Sequence, residues 1–354
     1  MMDKEKLFHY QADMDVCFVT SQKNRLYFTG FNSSFGYLLI SRDRTVLITD
    51  FRYAEMAEYL NNEDIEVLAG AGADLYDLLK NTLAEMNAKK IGIEETSLTL
   101  SQFAAMKRAL PDFEYVNAGK AISQMRRIKT KKELELIATA QSITDKAFRK
   151  ILKFIKPGVT ELAIAAELEY QMRKLGADGV AFDTIIASGV NTSKPHANPT
   201  EKKVCSGDAV TMDFGAKYHG YCSDMTRTIF VGKPSDEMKN IYQVVLKAQN
   251  NAIKNMSAGM TGKQVDSLAR EVIQANGYGD RFTHGLGHSV GIDIHEKPMC
   301  NEASEEILEE NMLMTVEPGI YVPGVGGVRI EDLVILKQDG VKNLTTSAKD
   351  IIIL

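Results

Sequence analysis

The sequence predicts an α/β protein of two domains. Three observations carry that prediction: a length of 354 residues, an alternation of short strand-like runs with helical segments over the first part, and an internal echo in the remainder. At roughly 100–200 residues per domain, the length suits two domains. Each is large enough to bury its own core without a disulfide or a metal.

In the first part, FGYLLIS (35–41) and TVLITD (45–50) read as strands on either side of the polar turn Arg42–Arg44, and RYAEMAEYLNN behind them has helical spacing. IEVLAG (65–70) is a further strand, DLYDLLKNTLAEMNA a further helix, and KKIGIEE (89–95) a strand expected to run parallel in the same sheet. The charged stretch RRIKTKKELE (126–135) marks the boundary, giving domains over 1–125 and 126–354. Within it, Thr130 and Glu133 form a capping box, the hydroxyl accepting from first-turn amides and the carboxylate reaching back to the cap. The helix that starts there carries Leu134, Ile137, Ala140, Ile143, Ala147, Ile151 and Ile155 on one face, and Pro157-Gly158 stops it.

The echo has a spacing of 101 residues: PGVT at 157–160 leads into a helical segment ending at Gly176, and AGMT at 258–261 into one ending at Gly277. Each copy continues with a strand-like run, AFDTIIASG (181–189) and RFTHGLGHSVG (281–291), and then reaches strands that bear acids. This is a duplicated helix–helix–strand–hairpin unit, whose copies should pack about a pseudo-twofold axis with corresponding strands facing each other.

The hairpin of the first copy is AVTMDFGAKYHGYCSDMTRTIFV (209–231). Val210, Met212 and Phe214 share one strand face, so Asp213 lies on the other. A turn centred at Tyr218-His219 sets Asp224 directly opposite Asp213; a turn one residue later leaves the two diagonal on the same face. In the second copy, MTVEPGIYVPGVGGVRIEDLVIL (314–336), folding about Gly324 sets Glu317 opposite Glu331, with Met314, Val316, Val328 and Ile330 on the apolar side. Four carboxylates on two facing hairpins repel one another and need cations. Acidic oxygen ligands suit Mn²⁺, Mg²⁺, Zn²⁺, Co²⁺ or Fe²⁺. Of six histidines, four lie in SKPHANP (193–199) and THGLGHSVGIDIHE (283–296), so His284, His288 and His295 adjoin the acids in sequence. One imidazole and four carboxylates can hold two metals, leaving the other histidines for substrate and proton work. Arg329, two residues before Glu331, can pair with an acid or bind a substrate carboxylate.

Composition excludes other classes. The formal charge is −5 with no long basic tract, which argues against nucleic acid or an anionic membrane as partner. Cys17, Cys205, Cys222 and Cys300 are scattered, as reduced thiols of a cytoplasmic protein are. The segment MMDKEKLFHYQAD has no apolar signal region, and no run of 18 uncharged apolar residues suits a membrane span.

Taken in order, SKPHANP, MDFGAKYHGYCSDMTR, HGLGHSVGIDIHE, TVEPGIY and GGVRIED resemble the signature blocks of the Xaa-Pro peptidases, aminopeptidase P and prolidase, within the creatinase-like or pita-bread metallopeptidases of family M24. NRLYFTGF (24–31) and TDFRYAEMA (49–57) extend the resemblance into the first domain. It implies a creatinase-like α/β domain followed by a pita-bread catalytic domain. It also implies Asp213, Asp224, His288, Glu317 and Glu331 as ligands of two divalent metals, manganese first with cobalt or zinc as alternatives, Asp224 and Glu331 bridging. By the same resemblance His196, His284 and His295 line the substrate site, Glu317 doubles as proton shuttle, Arg329 supports the bridging ligands, and the chain is a homodimer that cleaves short proline-containing peptides. The alternatives are a non-catalytic binding protein of this fold and an aminopeptidase without proline specificity. The ligand residues do not decide between prolidase and aminopeptidase P.

Overall fold

The computed structural model describes residues 3–62, 64–72 and 74–354. It divides after Arg126 into two units, Met1–Arg126 and Arg127–Leu354.

The first unit runs α1 (Lys4–Tyr10), β1 (Val16–Val19), α2 (Gln22–Thr29), β2 (Tyr37–Ile40), β3 (Thr45–Asp50), α3 (Phe51–Ala57), β4 (Glu66–Gly70), α4 (Asp74–Glu85), β5 (Lys90–Ile93), α5 (Leu100–Ala109), β6 (Glu114–Asn117) and α6 (Gly119–Arg127). Its sheet has the order β4-β3-β2-β1-β5-β6. β5, expected as a parallel strand, pairs parallel to both β1 and β6, while β2 is antiparallel to its two neighbours. β1 was not among the runs read as strands: VCFV is buried throughout, and a short strand covered on both faces shows no alternation. NRLYFTGF serves this unit's framework. The buried Glu94 carboxylate accepts from the Thr20 and Ser21 amides and hydroxyls and from Asn24 Nδ2, and Arg25 donates to the Thr20 and Ser33 carbonyls.

The second unit runs α7 (Lys131–Ile151), α8 (Glu161–Lys174), β7 (Gly179–Val180), β8 (Ile185–Ser188), β9 (Ala209–Phe214), β10 (Ala216–Tyr218), β11 (Tyr221–Cys222), β12 (Met225–Phe230), α9 (Asp236–Asn255), α10 (Gly262–Ala275), β13 (Gly287–Ser289), β14 (Glu296–Cys300), β15 (Leu313–Val316), β16 (Gly319–Val322), β17 (Gly326–Arg329), β18 (Asp332–Lys337) and β19 (Gly340–Asn343). Both halves of the Thr130–Glu133 capping box form at the start of α7. That helix stops at Ile151, earlier than Pro157 requires, because the chain tightens into i→i+3 bonds from Lys153 to Lys150 and Phe154 to Ile151. Ile155 nevertheless stays on the buried face.

The duplication is visible bond by bond. Thr160 and Thr261 cap α8 and α10 through their hydroxyls, and Gly158 and Gly259 both sit at φ +92°. The amides of those glycines bond Val204 and Leu308, and Thr160 and Thr261 bridge Lys203 and Ile307. Each half builds its own core. Val210, Met212, Phe214 and Ile229 of the first hairpin pack with Ile143, Phe148, Ile164 and Leu168 of α7 and α8. Met314, Val316, Val334 and Leu336 pack with Ile241, Val245, Val265 and Ala269 of α9 and α10. The two hairpins bond to each other: the Glu331 amide donates to the Thr226 carbonyl, and the Thr228 hydroxyl donates to the Arg329 carbonyl. Met312 and Met314 are fully buried core filling. Among the described residues no helix is long and apolar enough to cross a membrane.

Candidate active site

The hairpin registers bring the acids together. In the first hairpin Tyr218 pairs with Tyr221 and Asp213 with Thr226, so the chain reverses at His219-Gly220, both in the left-handed region at φ +47° and +80°. Asp224 is therefore diagonal to Asp213, the later of the two turn positions considered above. In the second hairpin Val316 pairs with Asp332 and Gly319 with Arg329, which centres the fold on Gly324 and sets Glu317 across from Glu331 as the spacing indicated. Carboxylate oxygens of Asp213, Asp224 and Glu331 lie within 4.8 Å of one another. Glu317 joins through His288, whose Nε2 is 3.3 Å from Glu317 Oε1 and 3.7 Å from Asp224 Oδ2.

β13 carries His288 into this cluster. Gly287 lets it approach, because a side chain there would run into the Thr315 carbonyl of β15. The Thr315 hydroxyl accepts from the His288 amide at 3.0 Å and donates to Glu317 Oε1 at 3.1 Å, fixing the two relative to each other. His295 stacks edge-on against His288 with ring centroids 4.4 Å apart. All four histidines, His196, His284, His288 and His295, border one cavity of about 520 Å³ whose floor is the four acids.

Burial dominates the electrostatics. It pushes the Glu317 carboxyl up to about 8, with Asp213 adding to the rise and Arg329 opposing it. Asp224 and Glu331 are likewise held well above the carboxylate range, by burial and then by repulsion from the neighbouring acids. Burial lowers His284 and His288 to about 4, so both are neutral at pH 7. Their tautomers follow from their partners. His288 Nδ1 faces the Ser289 carbonyl at 3.2 Å and must carry the proton, which leaves the Nε2 lone pair facing carboxylate oxygens. His284 Nδ1 donates to the Gly285 carbonyl at 2.8 Å, so Nε2 accepts from Tyr321 at 2.9 Å. Burial pushes Tyr321 up to about 12, which keeps that proton in place.

Arg329 is the cation of the cluster. It donates to Asp213 Oδ2 at 2.7 Å, Tyr321 Oη at 2.8 Å and Thr226 Oγ1 at 3.0 Å, and Thr226 donates in turn to Glu331 Oε2 at 2.8 Å. Burial works against its charge, but Tyr321, Asp213 and Glu317 outweigh that and hold its pKa above the ordinary value. One guanidinium does not balance four acids. The residues present fit divalent metal: Asp213 Oδ1 is buried without a hydrogen-bond partner, and an imidazole lone pair points at carboxylates.

Sequence reading missed Tyr321, Thr226 and Thr315. Strand alternation offered a signal for the threonines, since each lies two residues from an acid on the same strand face. Cys222 is buried, and its thiol faces the Ile292 carbonyl.

The pattern of metallopeptidase family M24 matches residues 135–338, and that of the creatinase/prolidase N-terminal domain matches residues 8–128. The chain belongs to metallopeptidase family M24. The M24 chain is 39% identical over 353 residues to the Xaa-Pro dipeptidase of Pyrococcus furiosus, covering 99% of each. Its fold is similar to that of a Xaa-Pro dipeptidase from Bacillus anthracis, with a TM-score of 0.95, 43% identity and 99% of each chain covered. It is also similar to an X-Pro aminopeptidase from Thermotoga maritima, at a TM-score of 0.94 and 41% identity, with 99% of each chain covered. This metallopeptidase therefore combines a creatinase-type N-terminal unit with a pita-bread catalytic unit, and divalent metal is its family's reagent.

Proposed function

We propose that this peptidase hydrolyses the bond before proline at the N-terminus of short peptides, using two divalent ions that Asp213, Asp224, His288, Glu317 and Glu331 would hold. The observation that carries the reading is the convergence of two buried acids, Asp224 and Glu331, two half-buried ones, Asp213 and Glu317, and the lone pair of a neutral imidazole on one cavity. When bound, the ions supply Lewis acidity and a nucleophilic water near neutral pH. Manganese fits the oxygen-rich donor set, with cobalt or zinc as alternatives.

The remaining work falls to side chains. Glu317, which borders the same cavity, delivers a proton to the leaving nitrogen. His295 hydrogen-bonds the carbonyl oxygen of the first residue. Arg329 and Tyr321 fix Asp213 and His284. Phe182, Ile185 and His196 border the cavity and form a proline subsite that asks for no N–H from the scissile amide, which a proline bond lacks. The names of the relatives from Pyrococcus furiosus, Bacillus anthracis and Thermotoga maritima support the proline preference. Four free cysteines support a reducing, cytoplasmic setting, and the family resemblance supports a homodimer.

Excess chelator should abolish cleavage of Ala-Pro-Ala, and Mn²⁺, Co²⁺ or Zn²⁺ should restore it; undiminished activity in chelator with no metal by elemental analysis refutes the reading. Equal cleavage of Ala-Ala-Ala removes the proline preference. Asp224→Asn should fold and lose metal; two metals per chain in that variant refute the assignment of Asp224 as a ligand.

A further inference from the structure

One buried carboxylate closes the loop that brings His196 to the cavity. Glu161, 0% exposed, lies in the first turn of α8. Its Oε1 accepts from the Ser188 amide and hydroxyl, both at 2.7 Å, and from Asn191 Nδ2 at 3.2 Å. Its Oε2 accepts from the Thr200 amide at 3.0 Å and the Thr200 hydroxyl at 2.6 Å. Ser188 is the last residue of β8, so the two oxygens of one side chain gather both ends of the loop 189–199. Pro195, His196 and Asn198 of that loop border the cavity, as does Ile185 of β8. A loop whose base is closed on a helix holds its tip in place. Two further ties reach it from the second hairpin, the Gly327 amide on Thr192 Oγ1 at 2.8 Å and Arg329 Nη1 on the Pro195 carbonyl at 3.3 Å. Burial works to raise the Glu161 pKa, but the bonds from Thr200, Ser188 and Asn191 outweigh it and hold the carboxyl below its ordinary value. The cation beside it, Lys202, donates to Ser188 Oγ at 2.8 Å and to Asp208 Oδ2 at 2.7 Å.

The second half repeats the device. Asp266 on α10, 1% exposed, accepts from the Leu286 amide at 2.9 Å and from Arg270, and Arg270 donates to the carbonyls of Phe282 and His284. Glu161 directly follows its cap Thr160, and Asp266 lies one helical turn further from its cap Thr261, so the two acids share a face of equivalent helices. Each half thus holds the segment bearing a cavity histidine with a buried acid on its capped helix.

Resting on the Xaa-Pro reading above, in which His196 belongs to the proline subsite, we propose that Glu161 is a positioning residue for substrate recognition. By closing the loop 189–199 it sets His196 where the substrate binds, and it acts through His196 without touching substrate or metal.

The test uses the full chain loaded with Mn²⁺ and compares the parent, Glu161→Gln, His196→Ala and the double variant. In Glu161→Gln the amide oxygen serves one end of the loop, and the NH₂ group faces the backbone N–H at the other. Hydrogen exchange of the amides in 189–199 should quicken in that variant while α8 keeps its protection. For Ala-Pro-Ala, kcat/KM should fall on the order of 10-fold, mainly through KM, with the metal content of the parent. Adding Glu161→Gln to His196→Ala should cost less than about 2-fold more, since the two act as one unit. Multiplied losses in the double variant, lost metal, unchanged exchange in the loop, or a parent-like KM in Glu161→Gln overturns the proposal. If Glu161→Gln does not fold, Thr200→Val, which removes one hydroxyl donor and keeps the carboxylate, gives the same comparison with a smaller loss. A parent that cleaves Ala-Ala-Ala and not Ala-Pro-Ala overturns the proline reading alone, and the same cycle read on Ala-Ala-Ala still decides the role of Glu161.

Discussion

Arg329 donates from Nη2 to Asp213 Oδ2 at 2.7 Å, and the other oxygen of Asp213 is buried with no hydrogen-bond partner. One carboxylate thus has an oxygen held by a fixed fork and an oxygen left over for a cation. The fork also reaches Tyr321 and Thr226, and a lysine, as a point charge on a flexible stem, cannot keep all three contacts. Arg329→Lys should therefore fold and keep the charge while losing on the order of 10–100-fold in kcat/KM. Activity within a few-fold of the parent would show that charge alone suffices.

The raised carboxyls give the metal-free protein a pH signature. Between about pH 4.5 and 6.5 two effects oppose: the fold binds protons on Glu317, Asp224 and Glu331, and the unfolded chain binds them on His284 and His288, whose folded values are near 4. Above about 6.5 the histidines are neutral in both states and only the acids count. The fold then binds more protons than the unfolded chain, so stability falls as pH rises through the Glu317 value of about 8. Metal, replacing those protons, should flatten the slope. Urea midpoints in chelator and in Mn²⁺ at several pH values check this, and a flat profile in chelator contradicts it.

Much of the site was legible because period-two alternation and a turn-rich centre fix hairpin register. Glu317 faces Glu331 for the reason its spacing gives, since the glycine turn at 324 leaves one symmetrical fold. Asp224 was less determined: two turn placements kept it on the same face, and the left-handed pair His219-Gly220 chose between them. β1 was illegible, because four residues buried on both faces have no polar side to alternate with. The hydroxyls of Tyr321, Thr226 and Thr315 were hidden for another reason. Alternation put Thr226 and Thr315 on the acids' strand faces, but their bonds to Arg329 and the His288 amide, and the bond from Tyr321 to His284, join segments whose approach sequence spacing does not give.

Tyr321 links the two functional groups nearest the substrate side, accepting from Arg329 and donating to His284 Nε2. Tyr321→Phe removes both bonds while keeping the ring, leaving a buried guanidinium N–H without that acceptor. Stability should fall by about 1–3 kcal/mol. Metal content should persist while kcat drops, since His284 loses the bond that orients its ring. A variant that loses metal as well would place Tyr321 in support of the ligands instead.

Lys129 bears on the same site from the start of the catalytic unit. Its side chain is 1% exposed, and Nζ lies 2.7 Å from Ser289 Oγ and 3.2 Å from Glu296 Oε2, the Glu296 side chain being 7% exposed. Ser289 follows His288, and Glu296 follows His295 and also accepts from the Asp293 amide, so this ion pair closes the segment that presents both histidines. Lys129→Met removes the cation beside a buried carboxylate and should cost about 3–5 kcal/mol, whereas adding Glu296→Gln removes that charge and should recover a large part of the loss. The two variants separate charge burial from segment geometry. If the double variant regains its denaturant midpoint but not its kcat/KM, the pair positions His288 and His295. If stability and activity return together, the pair answers only for its own charge.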